Sequence, residues 1–142
     1  MKVLVKRFDK SLPLPEYKTS GAAAFDLYAR QDTLIPAHKV VLVPLNIAIQ
    51  LPTDHWALLS ARSSLHKMGL MVANGIGVGD YDYRGDNDEY MAALLNFTDQ
   101  EVMVKKGDRV VQMIIMSRER VEFEELDKFE TEDRGGFGST GK

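Results

Sequence analysis

The feature that most constrains this chain is the spacing of its short apolar segments, none of which keeps a helical period for long. Eight segments that alternate in polarity or are rich in β-branched residues are separated by turn residues, a pattern typical of a β-sandwich or barrel. They are residues 3–5, 39–43, 46–51, 55–60, 91–97, 102–104, 109–117 and 121–126. Eight such segments in 142 residues leave little room for helix. The sequence therefore predicts an all-β fold.

One short helix is predicted, at residues 65–68. Ser64 is a suitable capping residue for it, and Gly69 stands where a left-handed residue ends many helices. The chain contains no inter-domain linker, so we expect one β domain over residues 1–133. A glycine-rich arm, residues 134–142, follows it and is expected to be flexible.

Charge and composition exclude several kinds of partner. The formal net charge of −3 provides no broad cationic surface, so we expect no nucleic-acid binding through many phosphate contacts. No apolar run reaches the roughly 18 residues that span a bilayer, and charge near the start interrupts any signal-peptide core. We therefore expect a cytoplasmic protein with no membrane partner. Cysteine is absent, so stability must come from packing or subunit association.

The densest polar cluster lies at residues 74–89, which are rich in glycine and carboxylates. The plainest interpretation is a hairpin with a solvated acidic tip. A calcium loop is a second interpretation, because Asp80 and Asp82 have the spacing of two ligands, but Arg84 and Met91 stand where further ligands are required. In a third interpretation, the glycines let backbone approach a ligand while Asp80 acts as a base.

Two further segments have the composition of anion sites. Arg62, Ser63 and Ser64 place a guanidinium and two hydroxyls at the start of the predicted helix, where anions bind readily, although simple capping is an alternative. The arm that begins at Arg134 combines a cation, hydroxyls, glycines and the aromatic Phe137. It is either an ordinary flexible terminus or a segment that wraps phosphates and stacks on a base.

In their order and approximate spacing, these pieces resemble the five motifs of the trimeric dUTP diphosphatase (dUTPase) family. The resemblance covers nearly the whole chain and rests on residues 21–29, 62–65, 74–85, 107–112 and 134–141. It implies a jelly-roll-like β-sandwich or barrel with one short helix and a glycine-rich C-terminal arm, assembled as a homotrimer with shared active sites. It also implies hydrolysis of dUTP to dUMP and pyrophosphate, assisted by Mg²⁺, which keeps uracil out of DNA and supplies dUMP for dTMP synthesis.

The resemblance also implies roles for individual residues. Asp80 would activate water, Asp26 would support the magnesium ion through its water shell, Asn74 would read the uracil edge and Tyr83 would pack under the sugar. The residues expected to contact the substrate are Arg62, Ser63, Ser64, Asn74, Gly77, Tyr83, Gln112, Arg134, Phe137, Gly138, Ser139 and Thr140.

Several positions depart from the family pattern. Gly79 stands where an aliphatic residue is common, and we expect the loss of a packed side chain to loosen the positioning of the base. Residues 86–88 are an insertion. The interval from Arg134 to Phe137 is two residues shorter than in many members, a form similar to that of enzymes from Gram-positive bacteria and their phages.

Two alternative functions remain open on the sequence. Arg62 and the residues that follow it are also similar to a motif of dCTP deaminases, in the same superfamily. A deaminase requires a catalytic Glu where this chain has Ala93, three residues before Asn96. The second alternative is a non-catalytic, nucleotide-sensing regulatory protein on the same scaffold.

Overall fold

Short antiparallel strands account for almost all regular structure in the computed structural model, which describes residues 1–141. The strands are β1 (Leu4–Arg7), β2 (Phe25–Tyr28), β3 (Thr33–Ile35), β4 (Val40–Pro44), β5 (Ile47–Gln50), β6 (His55–Ala61), β7 (Leu70–Val72), β8 (Gly77–Gly79), β9 (Met91–Asn96), β10 (Val102–Val104) and β11 (Arg109–Ser117). The prediction of an all-β fold is confirmed, and the architecture is jelly-roll-like.

The strands form two main sheets and two strand pairs. A four-stranded sheet has the order β2-β11-β6-β8, and a three-stranded sheet has the order β4-β9-β7. The pairs are β1 with β5 and β3 with β10. Side chains alternate across each strand, so one face of each sheet supplies the core. The largest fully buried apolar side chains are Leu27, Ile35, Leu45, Ile47, Leu70, Leu94, Met113, Val43, Val104, Val110 and Val111.

Two details of the predicted strands differ from the structure. Strands β2, β3, β7 and β8 were not predicted, because segments of three or four residues take their strand conformation mainly from the strands they pair with. The equally short β1 and β10 were predicted from their valines. The predicted strand at residues 121–126 is wrong. All six residues are exposed and pair with no strand within residues 1–141, since an alternating segment becomes a strand only when a neighbouring edge accepts it.

The predicted short helix is present as a single 3₁₀ turn, Leu65–Met68. Gly69 ends it in the left-handed conformation, with φ of 78°, as predicted. Ser64 occupies the N-terminal position, but its side chain makes no capping hydrogen bond, so the expected capping role is wrong. In a single turn of this kind, the backbone N–H of Lys67 bonds the Ser64 carbonyl at 3.0 Å, leaving the hydroxyl uncommitted.

The glycine-rich cluster is a crossover between sheets, not a hairpin. Strand β8 pairs with β6, whereas β9, the next strand along the chain, pairs with β4 and β7. Residues 80–90 therefore span from one sheet to the other, and the hairpin interpretation is wrong. The crossover places this loop at the end of the sandwich, beside the open edge of β8.

Beyond β11 the chain leaves the packed structure. Every residue from Glu119 to Gly141 is exposed, including the aromatic side chains of Phe123 and Phe129. Within the described residues, no helix is both long enough and apolar enough to cross a membrane.

Candidate active site

Four of the predicted site residues line one cavity of about 300 Å³. Asn74 lies in the turn before β8, Gly77 lies within β8, and Asp80 and Tyr83 lie in the crossover loop. Gly77 lines the cavity, and β8 is the edge strand of its sheet, so the backbone polar groups on its outer side can meet a ligand. The structure therefore brings these four residues together at the edge of the four-stranded sheet.

Asp80 presents a free carboxylate at this cavity. Its side chain is exposed and forms no hydrogen bond or ion pair with any residue in 1–141. Its backbone carbonyl accepts a hydrogen bond from the Tyr83 N–H at 3.1 Å, which closes a tight turn. An ionised carboxylate without partners keeps its lone pairs available for a proton on a bound molecule. Asp82, the other carboxylate of the turn, is not among the residues that line the cavity.

Tyr83 is oriented by contacts at both ends of its side chain. Its hydroxyl donates to the backbone carbonyl of Glu89 at 2.7 Å, and its ring meets Tyr90 edge to face, with centroids 5.4 Å apart. Burial raises the pKa of Tyr83, and the charges of Asp88 and Glu89 raise it further, so the hydroxyl stays a neutral donor at physiological pH. The ring is therefore fixed as one wall of the cavity.

A buried ion pair anchors the end of the crossover loop. The Glu89 carboxylate accepts hydrogen bonds from Arg30 Nε at 2.7 Å and Arg30 Nη2 at 3.0 Å, and from the backbone N–H of Asn46 at 2.9 Å. Glu89 is only 7% exposed, so these three donors compensate for the loss of water around its charge. The sequence analysis missed this pair, because no motif links two residues 59 positions apart.

The guanidinium groups of Arg84 and Arg118 hold the other end of the crossover loop through the ring of Tyr81. The ring of Tyr81 lies 4.6 Å from the guanidinium carbon of Arg84 and 5.7 Å from that of Arg118. Such cation–π contacts are favourable even where partly exposed. They connect the loop to the end of β11.

A second group of predicted residues lies apart from this cavity, on β2, β11 and the end of β6. Asp26 accepts hydrogen bonds from Arg62 Nε at 2.9 Å and Arg109 Nη1 at 3.0 Å. Gln112 pairs in register with Asp26, and its amide donates to the Ala61 carbonyl at 3.0 Å. Neither Arg62 nor Gln112 lines the cavity that holds Asp80.

The hydroxyls of this second group are uncommitted. Ser63 is exposed and Ser64 is half-buried, and neither side chain forms a hydrogen bond within residues 1–141. Together with the remaining N–H groups of Arg62, they form a compact set of donors. Such a set suits an anion with several oxygens.

The arm contacts neither group on its own chain. Arg134 and Phe137 are exposed, and the hydrogen bonds near them lie within the arm, as from the Ser139 N–H to the Gly136 carbonyl at 3.1 Å. Gly138, Ser139 and Thr140 are likewise exposed. The structure thus presents the predicted site residues as three separate groups.

The residues present fit a magnesium ion that arrives with a phosphorylated ligand. Within residues 1–141, no three His, Cys, Asp or Glu side chains gather as a metal cage, and the calcium-loop interpretation is wrong. Magnesium commonly keeps several waters and binds through substrate phosphates with one or two carboxylates. Both oxygens of Asp26 already accept guanidinium hydrogen bonds, so this carboxylate suits contact with the water shell of an ion more than direct ligation.

Sequence comparison gives consistent relatives. A profile of the dUTPase family matches residues 10–141. The deoxyuridine 5'-triphosphate nucleotidohydrolase of Hydrogenobaculum sp. is 43% identical over 146 residues, with 99% of each chain covered. The enzyme of the same name from Dictyoglomus turgidum is 38% identical over 148 residues, also with 99% of each chain covered.

Solved structures agree with these relatives. The dUTPase from Streptococcus mutans has a TM-score of 0.76 at 31% identity, covering 84% of this chain and 98% of its own. The dUTPase of Staphylococcus bacteriophage 80alpha, determined with dUpNHpp, has a TM-score of 0.86 at 19% identity over 99% of each chain, a likeness of fold alone. Because the family profile spans most of the chain and the sequence relatives match its whole length, this chain belongs to the dUTPase family.

Proposed function

We propose that this protein hydrolyses dUTP to dUMP and pyrophosphate. The observation that carries the proposal is the unpartnered Asp80 carboxylate at a cavity lined by Asn74, Gly77 and Tyr83, in a chain of the dUTPase family. A base with free lone pairs, backbone polar groups and an aromatic wall are the parts that recognition and hydrolysis of a nucleotide require.

Asp80 is the proposed general base. It orients a water molecule and accepts its proton while the water oxygen attacks the α-phosphorus in line with the bond to the β-phosphate. The new oxygen–phosphorus bond forms as the α–β anhydride bond breaks, and pyrophosphate leaves with the bonding electron pair. The step requires no covalent intermediate with the protein, so positioning contributes most of the acceleration.

Selectivity for uracil and deoxyribose is assigned to the same cavity. The Asn74 amide and the backbone groups exposed at Gly77 pair with the uracil edge, and a base with the opposite donor and acceptor pattern leaves those groups unpaired. Tyr83, held by its bond to Glu89, blocks a 2′-hydroxyl and a 5-methyl group by contact. The base is therefore read by the turn before β8 and by β8 itself, and the sugar by the crossover loop.

The second group of residues is proposed to bind the phosphates. In this proposal the charged phosphate oxygens of dUTP accept hydrogen bonds from the free donors of Arg62, Ser63 and Ser64 and from the amide of Gln112. A bound Mg²⁺ would neutralise the phosphate oxygens and stabilise the charge of the leaving group, and Asp26 would contact its water shell. The arm completes the site, with Arg134, Gly138, Ser139 and Thr140 on the phosphates and Phe137 over the base.

We propose that these groups meet in a homotrimer whose active sites are shared between subunits. The three groups lie apart on one chain, and the three-stranded sheet exposes apolar side chains on its outer face. On that face, Val40 lies beside Leu95 and Leu95 beside Met71, while Leu42 lies beside Ala93. An exposed row of this kind across three strands is suited to burial against another subunit.

The segment beyond β11 supplies further support for association. An apolar groove of about 290 Å³ runs beside β1, whose outer edge pairs with no strand in the described residues. The exposed Val121 and Phe123 alternate with glutamates, a pattern that suits a strand added to such an edge. The proposed occupant of the groove is this segment from a neighbouring copy, which also carries the arm toward a neighbour's site.

We infer further that the protein acts in the cytoplasm, on free nucleotide, with no nucleic-acid or membrane partner. In that setting its reaction keeps uracil out of DNA and supplies dUMP for dTMP synthesis. Deamination has no support here, because Ala93 offers no carboxylate and Asn96 is buried with its amide bonded to the carbonyls of Ile35 and Gln100.

Two measurements test the proposed reaction. With magnesium and each deoxynucleoside triphosphate, phosphorus NMR is expected to show pyrophosphate and monophosphate from dUTP alone. In H₂¹⁸O, mass spectrometry is expected to find the label in dUMP, because water attacks the α-phosphorus. Label in pyrophosphate, or free phosphate as the first product, would contradict the mechanism.

Asp80→Asn identifies the base. We expect kcat to fall by about 10²- to 10⁴-fold with dUpNHpp binding retained, because the amide keeps the shape of the carboxylate but cannot accept the proton. Asp82→Asn is the matched control in the same turn, and its kcat should stay near that of the unmodified protein. The reverse ranking of the two variants would assign the base to Asp82.

A further inference from the structure

Gly79, immediately before Asp80, has an ordinary backbone conformation but no room for a side chain. It is buried at the end of β8, opposite Ala57 of β6. Its φ is not among the positive values, so other residues could adopt its backbone conformation. Glycine in the interior of a strand otherwise marks a place where another group approaches closely.

That group is the ring of Tyr90. A Cβ built on Gly79 would lie 2.5 Å from the Tyr90 hydroxyl oxygen, 2.7 Å from Cε1 and 3.0 Å from Cζ. These distances are below van der Waals contact, so even alanine at position 79 requires the ring to move. The space that a side chain at position 79 would take is therefore filled by a residue eleven positions further along.

Tyr90 cannot easily move aside. It is only 4% exposed, and its backbone is fixed by two hydrogen bonds of 2.9 Å, donated by its N–H to the Ile47 carbonyl and accepted by its carbonyl from the Leu45 N–H. Its ring also supports the edge of Tyr83. The ring is thus part of the packed core on one side and of the cavity wall on the other.

The hydroxyl of Tyr90 does not explain this arrangement. It is buried, and it has no hydrogen-bond partner within residues 1–141. Burial raises the pKa of Tyr90 to about 12, with smaller contributions from Tyr83 and Asp80, so the group remains protonated near neutral pH. A buried tyrosine whose hydroxyl has a role usually forms a hydrogen bond through it. Here the hydroxyl forms none, and the ring packs against Gly79.

From this contact we infer that Tyr90 is a positioning residue for Asp80. Its ring supports the backbone of Gly79 and so sets the direction in which the next residue projects its carboxylate into the cavity. Tyr90 itself neither takes nor gives a proton. The inference rests on the proposed role of Asp80 as the base.

The test is a double-mutant cycle on Gly79 and Tyr90. Gly79→Ala forces a methyl group against the ring, and Tyr90→Leu removes the support, so each should lower kcat at least about tenfold while KM for dUTP changes less than about threefold. The double variant has room for the methyl group. We expect its kcat to recover to within about fivefold of the unmodified protein, far above the product of the two single effects.

Three controls separate positioning from other effects. Val104→Ala truncates a fully buried residue of β10, so it reports loss of stability without loss of kcat. Tyr90→Phe keeps the ring and should retain kcat within about threefold. Asp80→Asn is measured alongside, because retained turnover there would overturn the proposed base independently of the cycle.

Independent, multiplicative effects of the two substitutions on kcat would overturn the inference, as would effects confined to KM or melting temperature. A large loss of kcat in Tyr90→Phe would also overturn it, by assigning the hydroxyl to the reaction. If Tyr90→Leu does not fold, Gly79→Ala with and without Tyr90→Phe decides the matter. The ring contacts at 2.7 Å and 3.0 Å remain without the hydroxyl, so Gly79→Ala with Tyr90→Phe should stay at least about threefold below the unmodified protein in kcat. Full recovery of kcat in that double variant would assign the contact to the hydroxyl and overturn the inference.

Discussion

At the scale of single residues, the candidate site depends on whether each polar side chain already has hydrogen-bond partners within the protein. Asp80 and Ser63 are without side-chain partners in the described residues, whereas Asp26 and Glu89 are fully bonded. Because ligands replace water at groups that remain free, Asp80 and Ser63 are proposed to touch substrate directly, whereas Arg62, Gln112 and Tyr83 are proposed to do so while bonded to their own chain. The fully bonded residues hold the backbone that carries them.

Tyr83 gives a prediction about selectivity. Tyr83→Ala removes the wall that is proposed to exclude a 2′-hydroxyl and a 5-methyl group. The kcat/KM values for UTP and dTTP, each divided by that for dUTP, should rise at least about tenfold. Tyr83→Phe, which loses only the bond to Glu89, should give a smaller change. Unchanged ratios in both variants would assign discrimination to another residue.

Tyr90 gives a prediction about alkaline stability. Its pKa rises from 10.0 to about 12 in the folded protein, so the neutral hydroxyl is favoured by folding. This contribution is complete below pH 10 and is lost as the pH rises from 10 toward 12, to a limit of about 3 kcal/mol. Urea unfolding at pH 8 and pH 11.5 should therefore show a smaller loss of stability for Tyr90→Phe than for the unmodified protein. Equal losses would contradict the burial of this hydroxyl.

At the scale of elements, the crossover loop is held by its two ends. One end is tied to the end of β11 by the guanidinium groups around Tyr81, and the other is tied to the segment between β2 and β3 by the ion pair of Arg30 and Glu89. A loop fixed in this way can present Asp80 at a constant position although the Asp80 side chain is exposed.

Glu89→Gln tests this anchoring. The amide keeps the size of the side chain but leaves the Arg30 charge without its partner, so we expect the free energy of unfolding to fall by about 2 kcal/mol. Urea denaturation measures the change, with Glu16→Gln as the control. Glu16 pairs with Lys18 at the surface and should have no measurable effect. Equal stability of both variants would mean that the buried pair contributes nothing net.

The sequence predicted every strand of five or more residues and missed four of the seven shorter ones, for a physical reason. Strands such as β9 and β11 are long enough for alternation to be visible, whereas β7 and β8 take their strand conformation from neighbouring strands. Residues 121–126 show the converse, since their alternation lacks a partner edge within residues 1–141.

The candidate site was predictable only where a motif gave its residues a common signature. Asp80 and Tyr83 lie within three residues of each other and could be found in this way. Tyr90 could not be found, because a tyrosine at the start of an apolar strand resembles any core residue. Its relation to Gly79 is a contact in space, and no local pattern reports it.

At the scale of the whole molecule, the three separate groups of site residues make the arm the decisive segment. Arg134 and Phe137 are exposed and their side chains form no hydrogen bond or ion pair within residues 1–141, whereas Tyr83 of the cavity is held by Glu89 and Tyr90. The division is consistent with sites completed by neighbouring subunits, and it makes that arrangement testable with two inactive proteins.

Mixed trimers provide the test. A chain truncated before Arg134 retains Asp80, and Asp80→Asn retains the arm, so each alone should be nearly inactive. Unfolded together and refolded, they should regain part of the dUTP hydrolysis, because an intact base can meet a neighbour's intact arm. Native mass spectrometry verifies mixing. Verified mixed trimers that are no more active than either parent would show that the arm closes on its own subunit.

The close approach of Gly79 and Tyr90 also limits how the gene can change over generations. A single substitution that adds a side chain at position 79 creates a clash with Tyr90, and one that shortens residue 90 leaves a cavity. Replacing both residues one at a time therefore passes through a protein with one of these two defects. Mutation is therefore expected to keep Gly79 and Tyr90 together more often than it replaces them one at a time.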